Sequence, residues 1–184
     1  KDCTDDPLFK QLFEAQLALD PSASAYMYGG SLKVKAGDAN GAIADFNKAV
    51  DLETDAKKKS SILYKIATIY SKSNKSTSRN YAQKAINAEG SNGRAYLLIA
   101  HLYASSANEC GTTAFEKRAV YWKAAEMARQ AGRVDPALSS RASQAAESYS
   151  AKAPTKTDIF NSGMAGKTIS FSCWVGGSIK VPNL

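Results

Sequence analysis

The chain has 184 residues, of which 44% are hydrophobic and 22% charged, and its net charge is +7. This is the composition of an ordinary folded domain, and no apolar run approaches the roughly 20 residues that span a bilayer. The basic residues are dispersed apart from Lys57–Lys59, whose side chains would point in different directions from one helix. We therefore expect neither a transmembrane segment nor a nucleic-acid partner.

A first helix is predicted over residues 7–19, with Phe9 and Phe13 four residues apart, and it ends at Asp20-Pro21. Its spacing is that of the second helix of a pair, yet no first helix precedes it. We expect either that the chain is a piece of a longer array or that a partner covers this end. A second copy bound through the Phe9 and Phe13 face would be such a partner.

The stretch 22–53 predicts two antiparallel helices joined at Gly37-Asp38. The first helix presents Gly29 and Gly30 on one face, and the second presents Phe46. The glycines let the two backbones approach, and the phenylalanine fills the space beside them. One pair cannot bury such a stripe alone, so copies should follow.

Two further pairs are predicted over 57–89 and 93–135, and a last helix over 137–152 closes an array that spans 1–153. Small residues mark each crossing: Gly30, Ala67 and Ala100 are 37 and 33 residues apart. In the third pair the connecting turn has gained roughly a dozen residues. The last helix is largely polar outside its contact stripe, as expected of a helix that ends a stack.

Residues 154–184 form a tail of different character. Residues 153–166 predict a turn-rich connector, and Gly176-Gly177 predicts a tight turn between two strands, 167–175 and 178–181. Because an isolated two-stranded hairpin is marginally stable, it should pack on the helices. Apolar residues alternate with polar ones in the first strand, at Ile169, Phe171, Cys173 and Val175.

These features resemble the tetratricopeptide repeat: a period near 34, small residues at the helix crossings, and Asp135-Pro136 at the end of a pair. The resemblance covers residues 8–149. It implies an all-α, right-handed superhelix of antiparallel helix pairs, here with a small C-terminal β-hairpin. It also implies a non-catalytic scaffold that binds a protein or peptide segment.

A closer resemblance is to a group of exported Bacteroidetes tetratricopeptide proteins of unassigned function. It is carried by LYASSANECG (102–111), FEKRAVYWKAA (115–125) and the ending from Asp158 to Val175, whereas Ser172 and the final GGSIKVPNL depart from the pattern. The resemblance implies a periplasmic or outer-membrane-associated protein in the bacterial cell envelope. It also places the N-terminal helix of this chain in the middle of the group's longer chains.

The chain has three cysteines, Cys3, Cys110 and Cys173, and one histidine, which form no zinc-ligand pattern. From the residues alone, each cysteine could be a buried inert thiol or one half of a disulfide. Cys110 and Cys173 fall in an enlarged loop and in the tail, and both lie in stretches that carry the resemblance to exported proteins. On these grounds we expect a Cys110–Cys173 disulfide that pins the hairpin to the third pair. The resemblance would place the partner of Cys3 upstream of this chain.

In stacked helix pairs of this kind, the first helix of each pair lines a concave groove. The alternative to a binding groove is a solvated face that only the tail covers. Some tetratricopeptide proteins clamp a terminal carboxylate with paired Lys and Asn, but Ser31, Thr68 and His101 stand where Asn would be expected. The candidate partner-binding residues are Met27, Ser31, Lys35, Tyr64, Thr68, Lys72, Arg94, Leu97 and His101.

Two other functions compete with a protein-binding scaffold. An accessory glycan- or nutrient-binding protein would suit export, with Trp174 as an exposed aromatic surface for a sugar. A cysteine-dependent enzyme would pair Cys110 with His101, but no third group is placed to orient them. We expect no cofactor and no metal.

Overall fold

The computed structural model of the chain describes residues 7–184. Two strands, β1 (Thr168–Ser170) and β2 (Ser178–Lys180), form an antiparallel hairpin, and short 3-10 turns lie at Ala107–Glu109 and Pro136–Leu138. Within the described range, none of the helices has the length and apolar character needed to cross a bilayer. The helices are α1 Pro7–Leu19, α2 Ala23–Lys35, α3 Ala39–Leu52, α4 Ala56–Tyr70, α5 Lys75–Ala88, α6 Gly93–Ala104, α7 Ala114–Val134, α8 Ser139–Lys152 and α9 Lys156–Ser162.

Polar capping residues explain where most of these helices begin. The side chain of each cap accepts a hydrogen bond from a backbone N–H in the first turn, which satisfies a donor that the helix itself leaves unpaired. The residues that cap α2 to α6 in this way are Ser22, Asp38, Asp55, Asn74 and Asn92.

The helices pack as consecutive antiparallel pairs: α2 with α3, α4 with α5, and α6 with α7. Each second helix then contacts the first helix of the next pair, and α8 packs on α7. Because α4 also contacts α6, the first helices form one layer and the second helices form another. The expected all-α class, with stacked helix pairs and a small C-terminal hairpin, is confirmed.

Two glycines allow a close approach of the two helices in the first pair. A Cβ atom at Gly30 would lie 2.7 Å from the ring of Phe46, which is only 1% exposed. A Cβ atom at Gly29 would lie 3.0 Å from both the Asp45 carboxylate and the Phe13 ring. The buried Asp45 carboxylate pairs with the Lys33 ammonium at 2.7 Å. The glycines therefore hold α2 against α3, as the sequence predicts.

The second and third pairs are joined by a chain of buried hydrogen bonds. The Ser60 hydroxyl on α4 donates to the Ala85 carbonyl on α5 at 2.7 Å. The same hydroxyl accepts a hydrogen bond of 2.8 Å from the side-chain amide of Asn92, the cap of α6. Because every polar group in this series of hydrogen bonds has a partner, these groups can lie at the junction of the two pairs without an unsatisfied donor or acceptor.

The predicted connector over 153–166 is wrong, because this segment contains α9. Thr155 and Asp158 form a capping box that starts the helix, and Gly163, with φ of +64°, ends it. With only seven residues, α9 shows too little periodicity to be recognised from its apolar residues. The capping pair was the available signal.

The predicted strand over 167–175 is too long. β1 ends at Ser170, and residues 171–177 form a loop that contains Cys173, so the turn is wider than the tight Gly176-Gly177 connection expected. Ile169, Phe171 and Val175 are nevertheless all buried. The alternation of these residues therefore marks one buried face of the tail. This face continues beyond the end of β1, so the alternation does not indicate a longer strand. Cys3 lies outside the described residues.

The inserted residues of the third pair are divided between two elements. Residues 105–113 make a long connection that contains a 3-10 turn, and α7 has 21 residues where α5 has 14. The Thr113 hydroxyl and the Glu116 carboxylate form a second capping box at the start of α7. The insertion thus supplies both the loop that holds Cys110 and the helix surface on which the tail packs.

Candidate partner-binding face

The tail is bonded covalently to the loop after α6. Cys110 and Cys173 form a disulfide with Cα atoms 5.3 Å apart, and Cys110 is fully buried. The predicted pairing is confirmed. Because the Cys110 sulfur is bonded, Cys110 offers no free thiol to serve as the nucleophile of the Cys110–His101 pair.

Polar contacts also hold the tail against the second helices. The Arg79 guanidinium on α5 donates to the Val175 carbonyl at 3.4 Å, and the Lys123 ammonium on α7 donates to the Gly176 carbonyl. That ammonium lies 5.6 Å from the ring centroid of Tyr103 and 5.5 Å from that of Phe171. Burial, together with the nearby Arg79 charge, lowers the pKa of Lys123.

Trp174 takes part in the same packing. Its indole N–H donates to the Ser106 hydroxyl at 3.2 Å, and its ring centroid is 5.9 Å from that of Tyr103. The ring is half-buried against the loop after α6. Trp174 is therefore a partly exposed aromatic side chain that is held against the helical array.

The start of α7 holds the connection to α9. The Arg118 guanidinium donates to the Lys152 and Ala153 carbonyls at 3.1 and 2.8 Å and to the Asp158 carboxylate at 3.0 Å. Hydrogen bonds from Thr155 and the charge of Arg118 lower the pKa of Asp158. Together with the hairpin contacts, these bonds place the tail on α5, α7 and the loop after α6.

Of the nine residues predicted to face a partner, three are half-buried between neighbouring helices. Met27 packs beside the α3–α4 cluster, Tyr64 beside the cluster that includes the tail, and Leu97 beside Ala100 and Ala128. Their exposed portions are what a partner could contact.

The other six candidates are more polar and have different surroundings. The Ser31 and Thr68 hydroxyls donate to carbonyls of their own helices, to those of Met27 and Tyr64 respectively. Lys72 lies in the turn after α4 and not on a helix. The exposed members of the set are Lys35, Thr68, Lys72, Arg94 and His101.

A cavity of about 430 Å³ brings two of the predicted residues together, Tyr64 of α4 and Arg94 of α6. Every lining residue precedes residue 137, so the tail takes no part in it. The sequence did not predict the lining residues from the turns after α5 and after α7, although both turns were recognised as helix breaks. The complete lining is Lys57, Ser60, Ser61, Tyr64, Glu89, Ser91, Asn92, Arg94, Val134, Asp135 and Pro136.

The two carboxylates of the cavity are already engaged. Glu89 accepts hydrogen bonds from the Ser91 hydroxyl at 2.7 Å and from its N–H at 3.1 Å, and these bonds lower the pKa of Glu89. Asp135 accepts from the Ala137 N–H at 3.2 Å. In the described part of the chain, by contrast, Lys57 and Arg94 have no hydrogen-bond or ion-pair partner. The cavity therefore places two cations beside an aromatic ring, and the charge of Lys57 also helps to lower the pKa of Glu89.

No group of three or more histidine, cysteine, aspartate or glutamate side chains among the described residues is arranged to hold a metal ion. What the first helices present is a mixed surface of hydroxyls, cations and partly exposed apolar rings. Such a surface suits recognition of a polypeptide better than it suits covalent chemistry.

The fold is therefore a TPR-like array of helix pairs whose first-helix layer includes an open cavity. The crystal structure of MamA is similar to this chain, with 17% sequence identity and a TM-score of 0.48 over 89% of this chain and 98% of that chain. Neither a protein-family model nor a curated protein matches the chain. The fold assignment rests on the helix packing described above.

Proposed function

We propose that this protein is a non-catalytic scaffold that binds a segment of another protein on the layer formed by α2, α4 and α6. The observation that carries the proposal is the contrast between the two layers. The tail packs on α5, α7 and the end of α6, whereas a cavity lined by the starts of α4 and α6, the turn before α6 and the end of α7 stays clear of the tail. Binding energy can then come from a surface that the tail leaves uncovered.

The cavity lining favours one chemistry in the bound segment. The Arg94 guanidinium presents a planar set of N–H donors that matches a carboxylate, and Lys57 adds a second positive charge. The Tyr64 ring, Val134 and Pro136 offer apolar contact beside these charges. The segment we propose is therefore an extended peptide that carries an acidic residue next to an apolar one.

We also propose that the protein works outside the cytoplasm, in the bacterial cell envelope. The support is the Cys110–Cys173 disulfide, since structural disulfides persist in oxidising compartments and are rare in the cytosol. An exported scaffold would meet its partner in the periplasm or at the outer membrane.

A charge-reversal pull-down tests the proposal. The immobilised native chain would be exposed to envelope extract beside two double variants of equal charge change, Lys57→Glu/Arg94→Glu in the cavity and Lys167→Glu/Lys180→Glu on the exposed tail. We expect the native chain and the tail variant to retain the same defined proteins, and the cavity variant to lose them.

Equal retention by all three proteins would contradict binding at the first helices. A glycan array probed with the native chain covers the rival function. If the native chain bound glycans saturably and retained no protein, the proposed scaffold function would be rejected in favour of an accessory glycan-binding function.

A further inference from the structure

The two cysteines of the Cys110–Cys173 disulfide differ in their access to solvent. Cys110 is fully buried and belongs to the cluster that contains residues of α4 to α7 and of the tail. Cys173 is only partly buried and packs against the same cluster. A small molecule in solution can therefore reach the bridge of the folded protein from the Cys173 side and not from the Cys110 side.

The backbone around Cys110 explains why this cysteine is closed to solvent. Cys110 follows the 3-10 turn at Ala107–Glu109, and its N–H donates to the Ala107 carbonyl at 3.4 Å. The next residue, Gly111, has φ of +105°, and a Cβ atom there would lie 2.6 Å from the Glu116 Cβ atom in the first turn of α7. The chain on both sides of Cys110 is thus held close to the helices.

Cys173 has different surroundings, because it lies in the irregular loop of residues 171–177 between β1 and β2. The Phe171 N–H donates to the Gly177 carbonyl at 2.9 Å, and the Gly176 N–H donates to the Cys173 carbonyl at 3.0 Å. The neighbouring Ser172 and Gly177 are exposed. The loop is therefore ordered by its own backbone and keeps an outer side that faces water.

We propose that Cys173 is a thiol-exchange site, at which a small thiol in its thiolate form attacks the bridge. The sulfur of the entering thiolate bonds to Cys173 Sγ, the bond between Cys173 Sγ and Cys110 Sγ breaks, and the electron pair leaves with the Cys110 sulfur. That sulfur then takes a proton from water and becomes a thiol. The entering thiolate supplies the electron pair, so the step needs no further reductant.

The buried Cys110 sulfur makes this modification reversible. Its apolar surroundings disfavour a charged thiolate, so the equilibrium favours the intact bridge. When the Cys110 sulfur ionises again, it attacks Cys173 Sγ, expels the small thiol and restores the disulfide. Exchange at one sulfur thus opens and closes the covalent tie of the tail. Neither cysteine lines the cavity, so the exchange site stands or falls independently of the proposed function.

The early products of thiol exchange test this site. The full chain would be treated with iodoacetamide to block any thiol that is already free, and then with 2-mercaptoethanol. An early acid quench stops the exchange before the mixed disulfide can migrate, and N-ethylmaleimide then labels the freed thiols under mildly acidic conditions. Trypsin places the two cysteines in separate peptides, 95–117 and 168–180, so that mass spectrometry can locate the mixed disulfide.

The matched control is the same reaction in concentrated urea, where unfolding makes both sulfurs accessible. We expect the ratio of mixed disulfide on Cys173 to that on Cys110 to be at least about tenfold higher in the folded chain than in urea, since exchange depends on which sulfur is accessible. Equal ratios in the two conditions, or a folded chain that reacts mainly at Cys110, would overturn the proposal. It also fails if the folded chain does not react under conditions in which the unfolded chain does.

Discussion

The two halves of this array are held together in different ways. In the C-terminal half, Ile169, Phe171, Val175 and Val181 of the tail belong to the same buried cluster as residues of α4 to α7, and a disulfide joins the tail to the loop after α6. In the N-terminal half, the buried cluster draws only on α3 and α4, with α2 packed beside it. In a repeat array each pair contacts only its neighbours, so a tail that adds long-range contacts at one end makes stability uneven along the chain.

Removing the disulfide should produce the largest change. Cys173→Ser opens a loop whose ends are 63 residues apart, and chain-entropy reasoning assigns about 4 kcal/mol to its closure. We expect the free energy of unfolding in urea to fall by about that amount, with the loss concentrated in the C-terminal half. The exposed neighbour Ser172→Ala is the control and should leave the midpoint unchanged. A change below about 0.5 kcal/mol in Cys173→Ser would show that the noncovalent contacts alone hold the tail.

The closest helix contact of the N-terminal half offers the next test. Gly30→Ala would force a methyl group to within 2.7 Å of the Phe46 ring and should cost about 1–3 kcal/mol. The combined variant Gly30→Ala/Phe46→Leu removes the clash and should recover part of that loss. Gly90→Ala, where no atom lies within 4 Å of the added carbon, controls for the substitution itself. No destabilisation in Gly30→Ala would mean that α2 and α3 are not packed as closely as described.

The junction between the second and third pairs depends on Asn92, which caps α6 and donates to Ser60. Asn92→Ala removes both bonds and should lower the free energy of unfolding by about 1–2 kcal/mol. Asn161→Ala, on an exposed position of α9, should have little effect. Equal effects of the two substitutions in urea unfolding would argue against a specific role for the Ser60–Asn92 bond.

Acid should loosen the attachment of α9 by a smaller amount. Hydrogen bonds from Thr155 lower the pKa of Asp158. The Asp158 side chain therefore binds fewer protons in the folded state than in the unfolded state. Its contribution is present above the ordinary aspartate pKa and is lost as the pH falls through the lowered value. We expect the melting temperatures of the native chain and Asp158→Asn to differ at pH 7 and to converge as the pH falls below the ordinary pKa range of aspartate. A difference that stays constant with pH would contradict this assignment.

Periodicity and small residues predicted the helical part of the molecule because each repeat is a local unit. Gly30 and Phe46 are sixteen residues apart, and their roles follow from the spacing within a single pair. The tail could not be predicted equally well, because its structure depends on distant partners. Phe171 and Val175 are buried by packing against the helical array and by the nearby disulfide, so their alternation was mistaken for a strand.

The residues that line the cavity could likewise be predicted only in part from the sequence. Tyr64 and Arg94 could be chosen from their positions on first helices, since that choice needs only the repeat register. Glu89, Ser91 and Asp135 come from turns that meet only after the pairs stack, and no spacing in the sequence brings them together. Local pattern therefore identifies the helix layer that we propose as the binding face, whereas the shape of the cavity requires the stacked structure.

Native-state hydrogen exchange tests the difference between the two halves most directly. With the disulfide intact, we expect amides of α6 and α7 to exchange much more slowly than those of α2 and α3. After reduction, the exchange rates of α6 and α7 should approach those of α2 and α3, because the covalent tie to the tail is gone. Equal protection of the two halves in the oxidised protein, or protection of α6 and α7 that does not respond to reduction, would contradict the account.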